Sequence, residues 1–277
     1  VTGNAGARGL LALSLGLPAG WLLLFFLLPM GAVWLYGFGW GDGGFDLAAY
    51  ARALDPVYLG ILLKSLATAA AVTLICLAVG LPVAVAIGFA PASWKPWLLL
   101  ALMLPFWTNL LIRTYALIAI LRTEGLANKV LGLVGFGPLE LMNNGAAVVV
   151  GLVYVHLPFM VLPIYAALDR LDRSLVEASL DLGASHLRTM FAVVLPLALP
   201  GIASGLLITF VPALGSYLTP DLLGGPDSQM IANVIERQFK RADDWAFGSA
   251  LSFLLVYLTF AGLAVRAVWS ARREARA

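Results

Sequence analysis

Long uncharged runs constrain this chain more than any other feature. Residues 9–41, 65–94, 141–168, 189–220 and 245–265 contain no Asp, Glu, Lys or Arg. Each is longer than the roughly 18 residues that read as a membrane span. Over 277 residues, 61% are hydrophobic and 12% charged, and the mean hydropathy is +0.94. A large soluble protein with buried helices does not produce such runs repeatedly. In hydrocarbon every backbone N–H and C=O must be satisfied within the protein, and a helix does this within one segment. The expected class is an all-α integral membrane protein with six transmembrane helices, in a single membrane domain over 1–277.

The spans are expected at 11–36, 61–88, 97–120, 145–168, 197–218 and 246–268. Pro18 and Pro29 are candidate kinks in the first. This segment has no clear small-x-small cleavage site, so a retained span is expected and not a cleaved leader. Small residues Thr68, Thr73 and Gly80 suit close helix packing in the second. Trp94 and Trp97 flank Lys95 as interfacial anchors. Arg113 lies inside the third span, where a charge is costly unless it snorkels, pairs or lines a cavity. A headgroup contact, a role in stabilising a translocation pathway and binding to an outer loop all remain open for it. Leu126, Val130, Leu131 and Val134 mark a short amphipathic helix, and IANVIERQFK marks another. His156 has no second His, Cys or carboxylate at ligand spacing, so an interhelical hydrogen bond is expected and no metal. The lone cysteine, Cys76, is expected to pack, and a net charge of +2 gives no reason to expect nucleic acid.

The segment 174–196, SLVEASLDLGASHLRTMFAVVLP, breaks the apolar pattern. Ser174 stands three residues before Glu177, the spacing of a capping box. Gly183 is placed to end that first short helix, Ser185 to cap a second, and Pro196 to open the next apolar run. With six spans the termini share one side. Placing them inside gives nine inner basic residues: Arg8, Lys95, Arg170, Arg173, Arg188, Arg266, Arg272, Arg273 and Arg276. Six lie outside: Arg52, Arg122, Lys129, Arg237, Lys240 and Arg241. The excess favours cytoplasmic termini and puts 169–196 in the cytosol.

Glu177, Ala178, Gly183, Leu195 and Pro196 resemble the EAA-type loop of ABC importer permeases, with Ser179 in place of the usual second alanine. The wider chain is similar to the spermidine/putrescine permease subfamily through RTYA, VYVHLPF, LDRSLVEASLDLGA, FVPALGSYLTPDLLGG and NVIERQF. The resemblance implies a type I ABC importer permease whose cytoplasmic coupling helix docks on an ATPase. The coupling residues it implies are Glu177, Ala178, Ser179, Leu180, Asp181, Leu182, Gly183, Arg188 and Pro196. It also implies a second, different permease chain, a dimeric cytosolic ATPase carrying ATP and Mg, an extracytoplasmic solute-binding protein and an inner-membrane location.

The chain has no GxxxxGK[ST] phosphate loop and no Ser/His/Asp constellation, so it is expected to be a non-catalytic subunit with no cofactor of its own. A polyamine needs carboxylates or aromatic faces to replace its hydration. The pathway candidates are Trp107, Arg113, Tyr115, Tyr154, Phe159, Tyr217 and Asp221. The alternatives are an opine, ferric iron or another small solute carried by the same architecture, or an ion-coupled secondary transporter.

Overall fold

The computed structural model describes residues 14–42 and 44–274. Arg8 and Arg276 of the charge count, and residues 11–13 of the first expected span, lie outside it. The regular elements are helical: α1 (Ser14–Tyr36), α2 (Ala48–Ala53), α3 (Pro56–Phe89), α4 (Lys95–Met103), α5 (Leu110–Leu121) and α6 (Leu126–Leu133). They continue as α7 (Gly145–Asp169), α8 (Arg173–Asp181), α9 (His186–Leu214), α10 (Leu218–Leu223), α11 (Ile231–Arg237) and α12 (Trp245–Glu274). Five of these, α1, α3, α7, α9 and α12, are long and apolar enough to cross a membrane. A bent pair, Lys95–Trp107 with Leu110–Leu133, has the length and apolar composition of a sixth span if its two arms are taken together. This is the all-α, multi-span architecture expected of a type I importer permease.

The expected continuous third span, 97–120, is broken. Its two arms meet at 92°. The first arm ends in a 3-10 turn, Leu104–Trp107, containing Pro105, which has no N–H to continue an α-helical ladder. Thr108 is extended with ψ 150°, and the Asn109 side chain accepts the Leu111 N–H at 2.8 Å to start α5 afresh. Both arms are apolar, so periodicity across the break reads as one helix.

Two other prolines act more gently. A π-helical stretch at Leu23–Leu27 precedes Pro29, and another at Met190–Val194 precedes Pro196. The Leu195 N–H reaches Met190 O, the wider register that absorbs a proline without ending the helix. Within α9, Pro196 thus stands at the second position of the α-helical stretch Leu195–Leu214, where the apolar run opens. The fifth span begins earlier than the expected 197 and stops at Leu214, before Gly215.

The chain forms two compact units, one of 60–233 and one of 1–59 with 234–277. In the first, small residues let helices approach closely. Met160 of α7 is wholly buried, and it faces glycines on two neighbours, Gly80 of α3 and Gly205 of α9. Gly201 of α9 lies against Ala167 and the Pro163 carbonyl of α7. Without a hydrophobic drive between helices in lipid, such backbone approach is the main source of cohesion. His156 is buried, but its Nδ1 bonds Leu152 O at 2.8 Å within its own helix, so the expected interhelical bond is not made. Cys76 Sγ lies 3.7 Å from Val153 O, in the core. The 226–233 segment is tied to α3: Ser65 Oγ accepts the Ile231 N–H at 2.7 Å, and Lys64 donates to Asp227 O. The second unit is held by polar and aromatic contacts, including Arg52–Asp244 at 2.8 Å, Tyr58–Phe247 and Trp34 Nε1 donating to the Tyr257 hydroxyl.

Candidate functional site

The segment after α7 folds into the short helix, bend and second helix that its residue pattern predicts. The cap differs from expectation. Asp172, not Ser174, is the N-cap of α8, and its carboxylate accepts the Ser174 N–H at 3.0 Å. The helix thus starts one residue before Ser174, at Arg173, because an aspartate precedes it and competes as the better acceptor.

At the other end Gly183 has φ +85°. Its N–H bonds Leu180 O at 2.8 Å, and the Ala184 N–H bonds Ser179 O at 3.1 Å. These are the two bonds of a Schellman motif with Gly183 in the left-handed position. Ser185 then caps α9, its Oγ accepting the Arg188 N–H at 3.3 Å. Ser179, the departure from the usual alanine, bonds Thr189 across the bend, with 3.0 Å between the hydroxyls. The substitution therefore ties the two arms together.

Around this bend Leu182 is 89% exposed and Leu187 73% exposed. Glu177, Ala178, Asp181 and Arg188 are also exposed, while Leu180 is half-buried. An open cavity of ≈ 430 Å³ is lined by Leu175, Ala178, Ser179, Leu182, Gly183 and Arg188. Two exposed leucines on a projecting bend, flanked by charge, form an apolar knob suited to another protein's groove.

The base of the projection is anchored to the spans. Arg173 donates to Gly88 O at 2.9 Å, at the last turn of α3, where a cation offsets the helix dipole. Lys95, the first residue of α4, pairs with Asp169, the last of α7, at 2.5 Å. From Ser185 the chain runs without a break through the π-helical stretch into α9. The bend is thus tied to α3 through Arg173 and continues directly into α9. Arg173, Asp172 and Thr189 are missed by the motif. An aspartate immediately before a helix start was the only local signal for any of them.

The Ser174 N–H, and then its hydroxyl, hold the Asp172 carboxyl below the usual carboxylate range. A depressed pKa stabilises the fold above the ordinary carboxylate value of about 4 and ceases to do so as pH falls through the lower folded value. Asp172→Ala is expected to fray the first turn of α8 at neutral pH. Asp172→Asn is expected to keep the turn and lose the acid dependence. Amide exchange over 173–177 as a function of pH checks both.

The pathway candidates divide. Arg113, Tyr154 and Phe159 come together, with Phe106 as a fourth member that sequence reasoning missed. Arg113 is 6% exposed, so it does not reach headgroups as one expectation had it. Its guanidinium faces the rings of Phe106 and Tyr154, and Phe106 meets Phe159 edge-on at 5.3 Å. Trp107 ends the 3-10 turn beside them and is 72% exposed. Tyr115 is exposed further along α5, while Tyr217 is the N-cap residue of α10 and Asp221, in its first turn, is exposed beside buried Thr219 and Pro220. Among the described residues, no group of three His, Cys, Asp or Glu is placed to hold a metal ion.

Residues 3–273 match the family described as the binding-protein-dependent transport system inner membrane component. The chain belongs to that family. It is 42% identical over 262 residues to the spermidine/putrescine transport system permease protein PotB of Escherichia coli K12, covering 92% of this chain and 94% of that protein. The Haemophilus influenzae protein of the same name is 38% identical over 246 residues, 86% of each chain. Among solved structures, a bacterial ABC transporter involved in import of the acidic polysaccharide alginate superposes with a TM-score of 0.80 at 16% identity, over 96% of each chain. The MetNI methionine ABC transporter gives a TM-score of 0.54 at 22% identity, over 78% of this chain and 99% of that one. These two likenesses concern the fold. As a binding-protein-dependent permease, the chain is a multi-pass inner-membrane component of an ABC transport complex and not its catalytic subunit.

Proposed function

We propose that this chain is one permease of an ATP-driven importer of polyamines such as spermidine or putrescine. The observation that carries the reading is 42% identity over 92% of the chain to permeases named for spermidine/putrescine transport. In this reading a second, different permease completes the pathway, a dimeric ATPase carrying ATP and Mg sits on the cytosolic side, and a solute-binding protein delivers cargo from outside. Both termini are cytoplasmic and the Gly183 bend faces the ATPase. Glu177, Asp181 and Arg188 frame the contact, Leu180 and Leu182 give it an apolar footing, and Ala178 and Ser179 allow close approach. Pro196 sits where α9 takes up the motion.

The candidate spans α1, α3 and α9 contain no carboxylate, and that of α7 has only its terminal Asp169. A dication crossing this complex therefore draws acids from the second permease, with Trp107, Tyr115, Tyr217 and Asp221 as this chain's contribution. The test is reconstitution with the ATPase, second permease and binding protein, measuring uptake and ATP hydrolysis over a panel. The panel holds spermidine, putrescine, an opine and a ferric complex. Saturable ATP-dependent polyamine uptake is expected. ATP-dependent uptake of another solute alone would remove the polyamine assignment, and uptake driven by an ion gradient without ATP would remove the importer.

A further inference from the structure

The break between the arms of the third span leaves backbone groups without helical partners. Thr108 is extended, with ψ 150°, and Asn109 is also outside the helical region, with ψ 139°. The carbonyls of Phe106 and Thr108 are met by one guanidinium: Arg113 Nη2 donates to Phe106 O at 2.9 Å and to Thr108 O at 3.0 Å. Arg113 Nε lies 3.5 Å from Thr108 Oγ1. The Phe106 ring centroid is 5.6 Å from the guanidinium carbon, and that of Tyr154 is 5.8 Å away. A buried cation is ordinarily met by a carboxylate. Here the hydrogen-bond partners are carbonyls and a hydroxyl, and the rings supply the rest.

We propose that this break is a cation cage and that Arg113 is its built-in occupant, a positioning residue that holds the bent span and keeps the cage closed to a cationic cargo. Carbonyls freed where a membrane helix is interrupted are the groups that coordinate cations in such helices. Aromatic faces add a second mode of attraction. A planar guanidinium serves both at once, its edge donating to carbonyls while its face lies toward rings. A compact ammonium satisfies only part of this set. The cage rim is open, with Trp107 72% and Tyr154 40% exposed, so an emptied cage admits a small cation. The sequence pattern suggested Tyr154 as a cargo contact, but Arg113 already lies over its ring. Exclusion of cargo by Arg113 rests on the polyamine reading above; its hold on the bent span does not.

The test uses Arg113→Ala in the assembled complex, with amide exchange over 104–114 and ATP-driven uptake as readouts. Exchange there is expected to rise about tenfold when the carbonyls lose their donor. Millimolar methylguanidinium should restore most of the lost protection and uptake, and tetramethylammonium, which has no donor, should restore neither. Unchanged exchange, or raised exchange that methylguanidinium leaves where it is, overturns the proposal. Arg113→Gln, which keeps donors without charge, is the second variant. Wild-type protection in Arg113→Gln overturns the need for a cation, and lost protection recovered by methylguanidinium supports it. If neither variant assembles even when made with methylguanidinium present, the cage is not exchangeable and the proposal fails. Exchange needs no cargo, so this result is independent of the solute carried. Putrescine that protects 104–114 in Arg113→Ala but not in wild type supports exclusion of cargo, and any other pattern overturns that clause.

Discussion

Gly183→Val is expected to cut ATP-driven uptake about five- to thirtyfold while the spans remain inserted. Gly183 holds φ +85° at the tip of the projecting bend, with no atom within 4 Å of the position a Cβ would take. The cost is therefore conformational and not steric crowding by neighbours. An L-residue in the left-handed region costs about 1–2 kcal/mol, more when β-branched. Such strain is relieved by opening the Schellman bonds from Gly183 to Leu180 and from Ala184 to Ser179, which disorients Leu182 and the start of α9. Gly183→Pro should be worse, since proline fixes φ near −65° and removes the donor to Leu180. Gly183→Asn, which tolerates this region, should stay close to wild type. Uptake and stimulated ATP hydrolysis in reconstituted vesicles, beside an insertion assay, separate loss of coupling from loss of the fold. Wild-type uptake in Gly183→Pro would sink the coupling role assigned to the bend.

Gly201→Val should act on the fold itself. A Cβ at Gly201 would lie 2.6 Å from Ala167 Cβ and 2.6 Å from the Pro163 carbonyl oxygen, both on α7. Backbone cannot move aside as a flexible side chain can, so α9 and α7 must separate. Overpacking of this kind costs about 1–3 kcal/mol, and the rigidity of the neighbours places this case at the upper end. Separation also loosens Met160, which Gly205 and Gly80 accommodate a turn away. The expected result is a melting temperature lowered by several degrees and reduced yield in detergent. Gly132→Ala, where a Cβ meets nothing within 4 Å, is the control and should leave both unchanged.

Much of this architecture is legible in the residues because lipid imposes one dominant rule. Each of the uncharged runs coincides over most of its length with one of α1, α3, α7, α9 and α12, since only a helix satisfies its backbone there. The bend is equally legible: Gly183 and Ser185 act through local geometry that needs no partner. The third span was not legible. Pro105 and Asn109 are single residues inside an apolar run, and other prolines in this chain, such as Pro82, Pro158 and Pro200, are carried inside intact helices. Whether a proline breaks, bulges or is absorbed depends on which groups nearby can meet the freed carbonyl, and that is a matter of packing.

By itself the sequence determined the membrane class, the presence of the long apolar helices and the position of the Gly183 bend, because hydropathy, charge and left-handed glycine geometry are local properties. Only the tertiary structure decided that Asp172 caps α8, that Arg173 ties it to α3, and that Arg113 is turned inward to a broken helix. Each of these depends on a donor meeting an acceptor across a turn, a break or a helix pair, and no spacing along one segment encodes where that acceptor will be.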